Sequence, residues 1–325
     1  MNVVSSPDLS AATRWQIVHL PMPCPPPLLQ ALASWLAQAP SVRMAPTPHR
    51  VAGTPRSMPA EVLRARLLGL PNADGQVPWA ALRALQCGLG AAQPWGFVHP
   101  CHWALGADHT RLEDPSTLAL DEAASRALLD AMQPYFAGDG LTLVFDTPAR
   151  WLVHGEPLRG LRCTSLARAI GQNVADLHAE IQAENQSLTP ARWLLRLQSE
   201  MQMLLYQHPL HDVRKAQGLA PVNSFWLDGT GEWPVSLVPR TLQIEEQTLS
   251  TDPAAWEATL HASLDHGSPG TQADTALALC GTQSAAVFVS QANTPTSWTQ
   301  RLRATLSFSS GSARERELLT LLQTL

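Results

Sequence analysis

Between Thr189 and Gly231 the chain alternates hard punctuation with strongly patterned runs, and this alternation limits the folds open to it. Thr189-Pro190 has the form of a helix N-cap followed by proline at the first helical position. The helix it starts places Leu194, Leu197, Met201, Leu204 and Leu205 on one face. Pro209 has no amide proton and ends or kinks that helix. A short charged helix follows, with Gly218 suited to its C′ position. Val222–Leu227 reads as a strand and Asp228–Gly231 (DGTG) as a tight turn. Polar residues gather at the junctions: His208, His211, Asp212, Arg214, Asn223, Ser224 and Asp228. A segment built only to pack a core would not need so many polar groups at element ends.

The same interleaving runs through the rest of the chain. Trp15–Leu20, Trp95–Val98, Leu141–Asp146, Arg150–His154, Pro234–Val238, Thr241–Leu249, Ala276–Cys280 and Ala285–Ser290 read as strands. Leu28–Ala37, Pro59–Leu68, Pro78–Leu89, Ser116–Met132, Leu166–Leu177, Pro253–Leu264 and Ala313–Leu325 read as helices, and Trp298–Leu306 as a helix or an edge strand. His99–Asp114 reads as an irregular link. The expected class is α/β, with a mixed sheet covered by helices. Residues 1–13 are small and polar and read as a frayed N-terminus. Residues 14–325 read as one large globular domain, helical to about residue 90 and sheet-containing after it.

Composition narrows the function. The net charge is −5 and no basic block or stripe appears, which argues against nucleic-acid binding through phosphates. Charged residues make up only 15% of the chain, below the ~25% usual for soluble domains. The five cysteines are scattered, with no CxxC pair, as reduced thiols of a reducing compartment would be. No secretory signal pattern and no run of about 18 apolar residues is present. The expectation is a cytoplasmic protein with no membrane partner.

Few motifs carry chemistry. Neither GxGxxG nor GxxxxGK[ST] occurs, and GTG in the DGTG turn serves a hairpin as readily as a phosphate. No GxSxG elbow marks a nucleophile. His99-Pro-Cys-His102 with Asp108 and His109 has ligand-type residues at close spacing. Cys101, His102 and His109 could converge on a metal, or the histidines could cap backbone groups while Trp103 packs. His208, His211 and Asp212 fall at i, i+3 and i+4, with Arg214 and Lys215 beside Asn223. Arginine binds carboxylate or phosphate bidentately. The alternative for this set is a solvated helix end with local ion pairs.

The run LLRLQSEMQMLLYQHPLHDVRKAQGLAPVNSFWLDGTG resembles the RpfE-type regulatory proteins of proteobacteria, often labelled cofactor-independent phosphoglycerate mutase. Pro78-Trp79-Ala80-Ala81, Pro100-Cys101-His102-Trp103, Leu166–Gly171 and Leu279-Cys280-Gly281 resemble that family in the same order, so the likeness spans about residues 15–290. Within it, Arg214, Gly218, Pro221-Val222-Asn223, Trp226-Leu227, Gly229 and Gly231 are similar to a segment of archaeal-type phosphoglycerate mutases of the alkaline phosphatase superfamily. That implies a related sheet core or subdomain. Those enzymes shift a phosphoryl group through a serine and two metal ions. Where they carry Asp-Gly on the first strand, this chain has Ile17-Val18-His19-Leu20. Asp265-His266 is the sole superficial match to their second metal motif, and no serine matches the nucleophile.

The resemblance therefore implies a regulator of virulence-factor or exopolysaccharide production, without catalytic metal ligands or cofactor. It would bind a small anionic metabolite or a protein partner near Arg214, Asn223, Ser224, Asp228, Gly229, Gly231, His208 and His211. The alternative is an active mutase or phosphatase with a divalent metal at histidines such as His102, His109, His208 or His211. A third reading is a structural interaction module using the eleven tryptophans.

Overall fold

A computed structural model describes residues 14–21, 24–38, 42–45, 55–90, 92–184, 190–234, 236–249, 275–281 and 285–290, with isolated positions 252, 255 and 319. In chain order the elements are β1 (Arg14–His19), α1 (Pro26–Gln38), β2 (Val42–Ala45), α2 (Pro59–Leu68), α3 (Trp79–Gln86), β3 (Trp95–Cys101), β4 (Trp103–Leu105) and β5 (Thr110–Leu112). Then come α4 (Glu122–Gly138), β6 (Thr142–Thr147), β7 (Arg150–His154), α5 (Leu166–Ala169), α6 (Val174–Glu184), α7 (Pro190–Gln207) and α8 (Pro209–Ala216). β8 (Ser224–Gly231), β9 (Gln243–Thr248), β10 (Thr275–Cys280) and β11 (Ala285–Ser290) complete the set. The class is α/β, as the interleaved pattern implies. Among the described residues no helix is long and apolar enough to cross a membrane.

The elements gather into two compact units. The first contains β1, α1, β2, α2, β9, β10 and β11. Its five-stranded sheet has the order β2-β11-β10-β1-β9. β1 runs parallel to both β9 and β10, whereas β11 is antiparallel to β10 and to β2. Trp15 and Ile17 alternate on β1 and are fully buried; they join a cluster with Ala60, Leu63 and Leu67 of α2 and Ala278 of β10. The expected strand pair near residues 276–290 is present as β10 and β11.

The second unit holds everything from α3 to β8. Its four-stranded sheet, β6-β7-β3-β8, is antiparallel throughout, and β4 and β5 form a separate hairpin. Leu194, Leu197, Met201 and Leu205 of α7 and Leu128, Met132 and Phe136 of α4 pack with Val98, Trp151, Val153, Phe225 and Leu227 of the sheet. Proline punctuation works as read: Pro209 is the first residue of α8, and His208 caps that helix, its Nδ1 accepting the Leu210 amide at 3.2 Å. Gly218 follows α8 with φ +71°.

Several elements differ from the sequence reading, each for a local reason. The helix read over 116–132 is a 3-10 turn, Pro115–Leu118, followed by α4, because Asp121 caps the Ala124 amide and restarts the helix. The helix read over 166–177 breaks into α5 and α6 at Gly171, whose φ is +77°. The link read over 99–114 is the end of β3 and then the β4–β5 hairpin. DGTG is not a turn. It continues β8, where Gly229 and Thr230 together oppose Gly96 alone between the pairs Phe97–Asp228 and Trp95–Gly231. That is a β-bulge, and Gly229 supplies its positive φ of +61°. No strand forms over the described residues of 234–238; there Leu237 donates its amide to the Pro234 carbonyl in a turn. The segments read as helices at 253–264 and 313–325, and that at 298–306, lie outside the described residues, apart from single positions.

Candidate functional site

Successive side chains of a strand point to opposite sides of the sheet. In the four-stranded sheet, Val98, Trp151, Val153, Phe225 and Leu227 fill the core against α4 and α7. Their neighbours along the same strands, Phe97 and His99 on β3, Arg150 on β7 and Asp228 on β8, project from the other side. Asp146 at the end of β6 and Arg83 from α3 join them. The result is one connected row of charged and aromatic groups.

The row begins at Asp146, whose side chain is 1% exposed. Arg83 donates from Nε and Nη2 to its Oδ1, at 2.8 and 2.7 Å. Arg150 donates from the same two nitrogens to Oδ2, at 2.9 and 2.7 Å. The Arg150 guanidinium lies 4.6 Å from the centre of the Phe97 ring, a cation–π contact. Phe97 in turn sits 6.0 Å from the His99 ring. His99 Nε2 and Asp228 Oδ1 are 2.9 Å apart. The second Asp228 oxygen accepts the Leu166 amide at 2.6 Å. With an ionised carboxylate this geometry requires the His99 tautomer that carries its proton on Nε2.

Burial pushes the Asp146 carboxyl pKa upward, but the hydrogen bonds and charges of Arg83 and Arg150 outweigh it and hold the group below its ordinary value. The Arg83 pKa is raised, chiefly by its bond to Asp146. The buried thiols of Cys163 and Cys101 are poor nucleophiles. Burial pushes Cys163 up to about 12, against a smaller opposing effect from Thr230. Burial drives Cys101 far above the ordinary thiol range. Neither supplies thiolate near neutrality.

The sequence-read ligand residues divide. Asp228, Gly229 and Gly231 lie on β8 at the row, and the two glycines answer to packing. A Cβ on Gly229 would lie 2.6 Å from the Phe97 ring, and one on Gly231 would lie 2.8 Å from Pro78. Ser224 is buried at the start of β8. Arg214 is 4% exposed and is spent on backbone: Nε donates to the Ala220 carbonyl and Nη2 to that of Leu118, at 2.8 and 2.6 Å. Burial lowers its pKa, with Asp121 opposing. Asn223 accepts the Trp103 amide and donates to the Trp103 carbonyl, at 2.7 and 3.0 Å, which pins the β4 hairpin to the start of β8. His208 is the α8 cap, and the His211 ring packs 5.3 Å from that of Tyr206.

The metal candidates are likewise placed apart in role. Cys101 is fully buried among Leu112, Leu177 and Trp226. His102 has a buried Nδ1, and His109 accepts from Arg111 Nε at the surface. Among the described residues no group of three or more His, Cys, Asp or Glu side chains is placed to hold a metal ion.

Sequence reasoning did not find Arg83, Asp146 and Arg150. One signal was available: Asp146 ends the strand read over Leu141–Asp146, and Arg150 stands four residues on across the Thr-Pro turn, close enough for its fork to reach back. Nothing local announces Arg83, which arrives from α3.

No family model matches the chain, and no curated protein matches it. Among solved structures it is similar to the cofactor-independent phosphoglycerate mutase from Thermoplasma acidophilum, at 11% identity and a TM-score of 0.36, over 96% of this chain and 99% of that one. It is also similar to the PH0037 protein from Pyrococcus horikoshii, at 11% identity and a TM-score of 0.41, over 86% and 88% of the two chains. Likeness at these values leaves function to be read from the chain's own residues.

Proposed function

We propose that the chain is a regulatory protein that binds a small anionic metabolite and transfers no phosphoryl group. One observation carries this reading. In the row on the second side of the sheet, the acids are engaged and the cations face solvent. Asp146 and Asp228 have side chains 1% and 11% exposed and are held by hydrogen bonds. The side chains of Arg83 and Arg150 are 37% and 35% exposed. Two cations against one carboxylate leave a net positive charge at that end of the row. Such a surface suits recognition of an anion more than attack on it.

The test pairs two measurements on the purified chain. A thermal-shift screen with phosphorylated and dicarboxylate metabolites is expected to return at least one that raises Tm in a saturable way. A phosphoglycerate isomerisation assay with added manganese or zinc is expected to show no turnover. Metal-dependent turnover overturns the reading in favour of a mutase. A screen in which no anion raises Tm, with a protein captured reproducibly instead, overturns it in favour of an interaction module.

A further inference from the structure

We infer that Arg83 and Arg150 together form an oxyanion seat for a phosphate or carboxylate group of a small molecule. This rests on the anion-binding reading above and gives it an address. The address differs from the one the sequence suggested, because Arg214 has its guanidinium on two carbonyls inside the fold.

Three features make the pair more than a surface ion pair. The first is orientation. Each guanidinium is held by its Nε–Nη2 edge on a different oxygen of the same carboxylate, so both forks are fixed in relation to one another. Side-chain ordering is a main cost of binding at arginine, and here Asp146 has met it in advance. The second is the charge left over. Asp146 neutralises one of two cations, and its carboxylate is 1% exposed, so an arriving anion meets the guanidiniums rather than the acid. The third is donor capacity. The Nη1 nitrogens of Arg83 and Arg150 have no hydrogen-bond partner among the described residues. Phe97 supports the Arg150 guanidinium, with 4.6 Å to the ring centre. Arginine offers five N–H donors in a planar fork, and Asp146 uses only two from each. A phosphate oxygen or a carboxylate can take the remainder from both residues at once.

The partly exposed position also sets the strength. An inorganic ion should bind weakly, because only the two arginines of the row are open to it: Phe97, His99 and Asp228 are buried. Binding should fall as ionic strength rises, because both arginine side chains are about a third exposed to water.

The experiment titrates the full chain with inorganic phosphate and, separately, malonate at fixed ionic strength, followed by amide and arginine side-chain NMR shifts. Arg83→Gln, Arg150→Gln and Arg150→Lys are compared with Arg196→Gln on α7, which is outside the row. In the wild type, saturable shifts should map to the row for phosphate, malonate or both, and the stronger of the two identifies the preferred oxyanion. Each glutamine variant should weaken binding about tenfold or more, the loss expected for charge-assisted donors. Arg196→Gln should match the wild type. If a glutamine variant does not fold, Arg150→Lys decides: it keeps the charge and the contact to Asp146 but loses the fork, and should still weaken binding several-fold.

Equal affinities across all variants, or shifts that follow ionic strength alone, overturn the seat. A metabolite from the thermal screen that stabilises Arg83→Gln and Arg150→Gln as well as the wild type also overturns the seat, and leaves the anion-binding reading intact. Loss of phosphate binding in the variants, with no metabolite found in the screen, keeps the seat and removes the regulatory reading.

Discussion

The two sides of the four-stranded sheet share their backbone and differ in nearly everything else. One side, through Val98, Trp151, Val153, Phe225 and Leu227, meets α4 and α7 in an apolar core. The other runs from Asp146 through Arg150, Phe97 and His99 to Asp228 as a chain of contacts in which each group orients the next. The apolar side tolerates exchange of one apolar side chain for another so long as volume is filled. The polar side does not, because a hydrogen-bonded carboxylate without its donor leaves buried charge uncompensated. Stability therefore belongs mostly to the first side and specificity to the second.

The largest effect expected from this contrast is at Trp151. It is fully buried, and its indole donates to Ser125 Oγ at 2.9 Å, which donates in turn to the Pro148 carbonyl at 2.8 Å. Trp151→Ala should cost about 3–5 kcal/mol in denaturant unfolding, through the cavity and the stranded serine. On the opposite side, Asp228→Ala removes the acceptor of both the Leu166 amide and His99. Its expected cost is smaller, about 2–3 kcal/mol, and Asp228→Asn should recover part of it by keeping one acceptor oxygen. If Asp228→Ala proves costlier than Trp151→Ala, the division of labour between the two sides is wrong.

The difference between the sides also explains what was legible in the sequence. The apolar stripe of α7 and the strand 141–146 announce themselves by period, because burial acts on each residue in turn. Pro209 and Gly218 announce element ends through backbone chemistry that needs no partner. The polar row depends on which strand lies beside which. His99 and Asp228 meet only through the order β6-β7-β3-β8, and Arg83 reaches Asp146 from α3, packed on β3 and β8. Junction polarity did lead to β8, and so to Asp228. It also led to Arg214 and Asn223, since a residue that clamps backbone and one that holds a ligand have the same polarity. DGTG looked like a turn because a bulge and a tight turn ask for the same glycine.

A middle-sized effect is expected at Asp146. Its folded pKa lies below the ordinary value, because Arg83 and Arg150 favour the ionised form more than burial opposes it. The group therefore contributes stability above its unfolded pKa of about 3.9, and this is lost as pH falls through the lower folded value. Asp146→Asn should cost about 1–2 kcal/mol at pH 7, discounted because each arginine is a third exposed. Unfolding curves for wild type and variant, taken from pH 7 to pH 2.5, should converge only below about pH 4. A gap that stays constant to pH 2.5 would mean that the carboxylate's charge contributes nothing.

The smallest effect is the counterpart of that pair on the surface. Glu122 and Arg126 form an i,i+4 bridge on α4 at 2.8 Å, with side chains 62% and 53% exposed. The bond length matches those at Asp146, but Glu122 accepts one bond from one arginine where Asp146 accepts four from two, and it stands in water. Water and salt screen the outer pair, and Arg126 has a second support 3.8 Å from the Phe145 ring centre that does not need Glu122. Glu122→Gln should change unfolding free energy by less than about 0.5 kcal/mol. Measured beside Asp146→Asn in low and high salt, it calibrates how much of the Asp146 effect comes from burial together with the double arginine clamp. Equal losses in the two variants would show that the buried acid is no better placed than an exposed one, and would remove the preorganisation on which the oxyanion seat depends.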